Sequence, residues 1–118
     1  MQESSPFGTY LRESRTRKGT PAFSVRKLAD RVGIEPSYLS KIERGQQPPP
    51  GEGTIRKLAE ELGEDPDVML ALAGKVPTDL LEVIRARPRL FADLLRELKT
   101  MPDSAVLRIV REVRDGNW

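Results

Sequence analysis

The stretch SVRKLADRVGIEPSYLSKIERG, from Ser24 to Gly45, sets two short helical patterns against each other across a single glycine. Val25, Leu28, Ala29 and Val32 make one apolar face, with Ser24 as an N-cap ahead of them. Gly33 ends that pattern. Glu35 can cap a second helix, and Pro36 stands at its first position, where a missing N–H costs nothing. Two helices so close in the chain cannot continue as one rod and must turn sharply. A near-perpendicular turn needs a small residue where the backbones approach, here Ala29, and a corner glycine able to take positive φ, here Gly33. It also needs apolar side chains to lock the angle. Leu28, Val32, Ile34, Leu39 and Ile42 supply them.

The rest of the chain reads as helix too. PFGTYLRESRTRKG spaces Phe7, Tyr10, Leu11 and Ser14 along one face, with Pro6 in the first turn and Gly19 as a stop; TPAF is a connector. After Gly45, three consecutive prolines force an extended segment. TIRKLAEELG then buries Ile55, Leu58, Ala59 and Leu62, and EDPDVMLALAG gives a short fifth helix with Val68, Met69 and Leu72 inside. Three further patterns follow, separated by Pro88 and by Met101-Pro102. No stretch alternates like a strand, and nothing repeats at a fixed period. The expected architecture is all-α: five helices over residues 1–74, then two or three more over residues 75–118.

Residue usage narrows the chemistry. The chain has no cysteine and no histidine, which removes disulfides, thiolate chemistry and nearly all zinc sites, so no metal and no cofactor is expected. A serine nucleophile would lack the usual base. The GEG at Gly51–Gly53 follows prolines rather than a strand, and Arg56 stands where a phosphate-binding loop needs its third glycine. An enzyme is therefore not expected. No apolar run approaches the roughly 20 residues of a membrane span, and MQESSPFGTY lacks the basic and apolar blocks of a secretory signal. A cytoplasmic protein without membrane contact is the expectation. Net charge is only +2, yet it is unevenly placed: residues 1–51 carry 9 Lys/Arg against 5 Asp/Glu, and residues 52–74 carry 2 against 6. A basic front of this kind suits a polyanion.

The outward face of the second short helix carries Pro36, Ser37, Ser40, Lys41 and Arg44, small or hydrogen-bonding groups and cations suited to a DNA major groove. At LRESRTRKG, SVRKLADRVGI, PSYLSKIERG and TIRKLAEELG the chain resembles the Cro and phage-repressor type (Xre family) of helix-turn-helix DNA-binding domains, over roughly residues 7–73. The resemblance implies a five-helix bundle that binds double-stranded operator DNA, usually as a dimer on an inverted repeat, and regulates transcription, here most simply as a repressor. It places base reading on Pro36, Ser37, Ser40 and Lys41, and phosphate contact on Ser24, Lys27, Tyr38 and Arg44. Val25 and Pro36 depart from the polar residues common there, and Gly51 and Gly53 leave backbone N–H groups as the phosphate donors of the fourth helix. The resemblance also pairs Arg15 with Glu43, beside the structural positions Ala29 and Gly33.

Residues 75–118 lie beyond that resemblance. Leu80, Leu81 and Ile84, then Leu90, Phe91, Leu94, Leu95 and Leu98, then Val106, Ile109, Val110 and Val113 form apolar stripes. A homodimer interface is the favoured use, with Leu94, Leu98, Ile109 and Val113 as first candidates, because one helix-turn-helix unit reads too few base pairs alone. An intramolecular extension of the core, or a site for an effector or partner protein, are the other uses. A protein-interaction module such as an antitoxin, with DNA binding secondary, is the alternative function. Trp118 is expected to be exposed or docked across an interface.

Overall fold

The computed structural model describes residues 5–116, so Trp118 lies outside the described residues. Eight α-helices and no strand are present among them: α1 (Pro6–Arg17), α2 (Val25–Val32), α3 (Pro36–Glu43), α4 (Glu52–Leu62), α5 (Pro66–Leu72), α6 (Thr78–Ala86), α7 (Pro88–Leu98) and α8 (Asp103–Arg114). The TPAF connector winds into one 3-10 turn, Pro21–Phe23. The chain divides into two compact units between Pro77 and Thr78.

Local chemistry sets the helix ends of the first unit. Ser5 Oγ accepts the Gly8 N–H at 2.8 Å, and Ser24 Oγ accepts the Lys27 N–H at 3.2 Å. Gly33 closes α2 at φ +80°, and this left-handed residue lets the N–H groups of Gly33 and Ile34 both reach the Ala29 carbonyl. Glu35 occupies the α3 cap position but makes no side-chain cap bond; only its carbonyl is used, by Leu39 N–H at 3.1 Å. Pro36 at the first helical position has no N–H to leave unsatisfied. α4 begins at Glu52, two residues before the expected TIRKLAEELG, because Gly51 is extended and its carbonyl takes the Ile55 N–H.

The core of this unit joins Phe7 and Leu11 of α1, Leu28, Ala29 and Val32 of α2, Leu39 and Ile42 of α3, and Ile55, Leu58, Ala59 and Leu62 of α4. α5 completes it with Met69 and Leu70. Val68, expected inside, is 43% exposed. Asp65 caps α5 so that Met69 and Leu70 straddle the face toward α4 and α1. At about 100° per residue, Val68 then points well away from that face. Tyr10, at the core's edge, donates its hydroxyl to Glu64 Oε2 at 2.8 Å, which raises the phenol's pKa and ties α1 to the turn after α4.

Two devices fasten α1 to the end of α3. The first is Gly8, buried where the backbones meet: a Cβ there would fall on the Ile42 carbonyl oxygen and lie 2.9 Å from that of Glu43. The second is an ion pair. Arg15 Nε donates to Glu43 Oε2 at 2.7 Å and Nη2 to Oε1 at 2.9 Å, with the side chains 14% and 5% exposed. The hydrogen bonds that Arg15 donates to Glu43 hold its proton more tightly, outweighing the effect of burial.

The second unit is built differently. α6 packs on α7, and α7 and α8 flank a groove of about 380 Å³ lined by Leu94, Leu98, Val106, Ile109, Val110 and Val113, with Arg114 at its side. None of the described residues of α6, α7 or α8 is buried.

Gly8→Ala should cost about 1–3 kcal/mol, the range for an overpacked site. Gly53→Ala, at a helical position with nothing within 4 Å of the added Cβ, should instead stabilise by up to about 1 kcal/mol. Urea titration of both variants checks the pair; equal effects would remove the close-approach argument. Arg15→Ala should cost about 3–5 kcal/mol, because it strands a buried carboxylate, and Arg15→Ala/Glu43→Ala together should cost less than the sum of the singles. A double-mutant cycle by thermal unfolding measures that coupling.

Candidate nucleic-acid interface

The corner at Gly33 leaves one side of α3 outward. Ser37, Lys41 and Arg44 are exposed there, while Pro36 and Ser40 are half-buried and share the same side one turn apart. The face therefore offers two hydroxyls, an ammonium, a guanidinium and a flat apolar ring edge. Tyr38 leans the other way and packs part of its ring against the core. Lys27 is exposed on the first turn of α2, and the Ser24 hydroxyl beside it is engaged in capping.

Charge is arranged to keep this face positive. Glu43, at the end of α3, would repel a polyanion, but both its oxygens are taken by Arg15. Arg15 also donates Nη1 to the Phe23 carbonyl at 3.3 Å, so one guanidinium links the end of α3 to the turn that precedes α2. Arg31 holds the same turn from the far side. Its Nη1 donates to the Ala22 carbonyl at 2.7 Å, its Nε pairs with Glu61 of α4 at 2.8 Å, and its guanidinium lies 4.9 Å from the Phe23 ring centre. Lys18 Nζ lies 5.5 Å from that ring centre. Sequence reading missed Phe23 and Arg31, since nothing in TPAF announces that its carbonyls are acceptors for distant arginines.

Past α3, Gly45 takes φ +74°, and the N–H groups of Gln46 and Gln47 return to the Lys41 carbonyl. The prolines then lead to Gly51 and the start of α4. Gly51 and Gly53 are exposed there, and Glu52 between them is paired with Arg56 at 3.1 Å. A shallow hollow of about 190 Å³ opens beside α3, lined by Arg12, Arg15, Val25, Ser40, Glu43 and Arg44. No group of three or more His, Cys, Asp or Glu side chains that could hold a metal ion occurs among the described residues. No helix among them is long and apolar enough to cross a membrane.

Comparison with known proteins agrees with this geometry. The helix-turn-helix domain family matches residues 6–72. The chain is 39% identical over 72 residues to the uncharacterized HTH-type transcriptional regulator RghRB of Bacillus subtilis, a match spanning 61% of this chain and 50% of that protein. The chain thus spans about half the length of that curated relative. Among solved structures it is similar to the restriction-modification controller protein C.AhdI of Aeromonas hydrophila, at 38% identity and TM-score 0.48, over 55% of this chain and 92% of that one. It also resembles the clp gene regulator ClgR of Corynebacterium glutamicum, at 24% identity and TM-score 0.50, over 82% of this chain and 94% of that one, a likeness of fold. With the corner at Gly33, the five-helix core around it and this family match over more than half its length, the chain belongs to the Xre-type family of helix-turn-helix regulators.

Proposed function

We propose that the protein is a sequence-specific regulator of transcription, acting in the cytoplasm, that lays α3 in the major groove of operator DNA and works as a homodimeric repressor on an inverted repeat. The outward side of α3 carries this reading. Pro36, Ser37, Ser40 and Lys41 offer donors, acceptors and an apolar edge to bases. The exposed Lys27 and Arg44 are the side chains offered to the phosphates, with Ser24 and Tyr38 beside them held by the α2 cap and the core. Binding of this kind needs no cofactor, metal or catalytic group.

The second unit supports the dimer. Its apolar residues are exposed to an unusual degree, with Leu90 at 64%, Val113 at 58% and Leu94 at 50%. Helical units of about 40 residues seldom supply a sufficient core alone, and oligomerisation is a common remedy. A second copy laid along the α7–α8 groove would cover Leu94, Leu98, Ile109 and Val113 together. Two reading helices about 34 Å apart would then enter successive major grooves on one side of the duplex.

DNA selected by the protein from a random pool should contain an inverted repeat. Ser37→Ala/Lys41→Ala should lose about 1–3 kcal/mol of discrimination for each good base contact removed. A gel-shift titration in which the double variant keeps full preference would take the reading role away from α3. Leu94→Asp/Val113→Asp should sediment as a monomer at concentrations where the parent is a dimer, with its helical circular dichroism largely kept. A parent that sediments as a monomer, or a variant that dimerises equally well, would return α6–α8 to another use.

A further inference from the structure

The hollow between α1, the start of α2 and the end of α3 has a charge balance that the outward face of α3 does not explain. Four charged side chains line it: Arg12, Arg15, Glu43 and Arg44. Glu43 and Arg15 cancel, because both carboxylate oxygens are bound to that one guanidinium. Arg12 and Arg44 remain. Arg44 directs Nε to the Ser40 carbonyl at 3.3 Å, which fixes the base of its guanidinium and leaves the two Nη groups for other partners. Arg12 is exposed and makes no ion pair or hydrogen bond through its side chain with any described residue. Two cations therefore face one concavity with no free carboxylate between them, an arrangement that favours an incoming anion.

The remaining walls suit the same ligand. Ser40 is half-buried at the rim and brings a hydroxyl donor. Val25 is the first residue of α2, so the positive end of that helix borders the hollow. The other side of Arg12 differs: a second hollow there is lined by Thr9, Arg12, Glu13, Thr16 and Glu43, and the Glu13 carboxylate, which pairs with no described arginine, discourages an anion. The anion-favouring side is the one continuous with α3.

We propose that Arg12 and Arg44 close on a single phosphate of the DNA backbone over this hollow, an inference that rests on the DNA-binding reading above. Arg44 reaches from the end of the reading helix and Arg12 from α1, so the contact fixes how far α3 slides along the groove. Gly8 and the Arg15–Glu43 pair hold the two arginines on a common frame. Because the contact is to phosphate, it acts on all sequences alike.

The test uses the full chain with two probes, a duplex recovered by selection and a random-sequence duplex, titrated across salt concentrations. Arg12→Ala should weaken binding to both probes by the same factor. Arg12→Ala/Arg44→Ala should weaken it further and flatten the slope of log affinity against log salt by about 0.9, the value for one lost phosphate contact. Arg12→Lys should keep the slope. Neutralising the contacted phosphate as a methylphosphonate should weaken the parent, weaken Arg12→Ala and Arg44→Ala each by less, and leave Arg12→Ala/Arg44→Ala unaffected. An Arg12→Ala protein with parental affinity for both probes or parental sensitivity at every methylphosphonate, or an Arg12→Ala/Arg44→Ala protein with the parental slope, overturns the inference while leaving the DNA-binding reading intact. A parent with no affinity for either duplex overturns both.

Discussion

The structure of the first unit depends on how closely α1 approaches the end of α3. Helices packed through side chains keep their axes about 8–10 Å apart. Gly8 lets the α1 backbone press against the Ile42 and Glu43 carbonyls without intervening side-chain bulk. One turn beyond Leu11, Arg15 then reaches the Glu43 carboxylate with two short bonds. The two features depend on each other. Without the close contact, Arg15 would meet Glu43 in water, where such a pair contributes little. Without the pair, the contact would bury an unpaired carboxylate. Together they fix the end of a helix only eight residues long, too short to be stable on its own.

Features encoded locally were legible in the sequence. Ser24 before an apolar face, Gly33 between two faces and Pro36 at a helix start each act within a few residues, and the helix bounds around the corner followed from them. The apolar face of α4 was readable for the same reason. Features that depend on distant partners were not. Gly8 looks like an ordinary helix-weakening glycine until the carbonyls of α3 are in place, and Phe23 looks like a loop residue until Lys18 and Arg31 approach its ring. Val68 shows the limit of pattern reading in short helices. With seven residues in α5, several apolar residues fit more than one face, and the Asp65 cap chose Met69 and Leu70.

The Arg15–Glu43 pair shows what a family resemblance adds and where it stops. It indicated which charges meet, but carried no sign that Arg15 also holds the Phe23 carbonyl. That third bond matters for the interface. It ties the turn before α2, where Lys27 is exposed, to the end of α3, where Lys41 and Arg44 are exposed. The candidate base-facing and phosphate-facing groups therefore rest on one guanidinium rather than on two independently mobile elements. For a surface that must match a rigid duplex, preorganisation of this kind reduces the entropy lost on binding.

The two units place their apolar residues in opposite ways, and with the proposed dimer this bears on regulation. In the first unit, thirteen of the described residues form one buried apolar cluster. In α6–α8 the stripes are just as regular, yet no described side chain is buried. A segment with that pattern gains most of its apolar stabilisation when something covers it. If the cover is a second copy, ordering of α6–α8 and pairing of the chains become one equilibrium, set by protein concentration. The DNA-facing unit would be folded at any concentration, but two linked half-sites would exist only above the dimer threshold. Linked half-sites bind far more tightly than single ones, because the second contact becomes intramolecular. Occupancy of an inverted repeat would then rise more steeply with protein level than a monomer's could, and the source of that steepness would be the missing core of the last three helices.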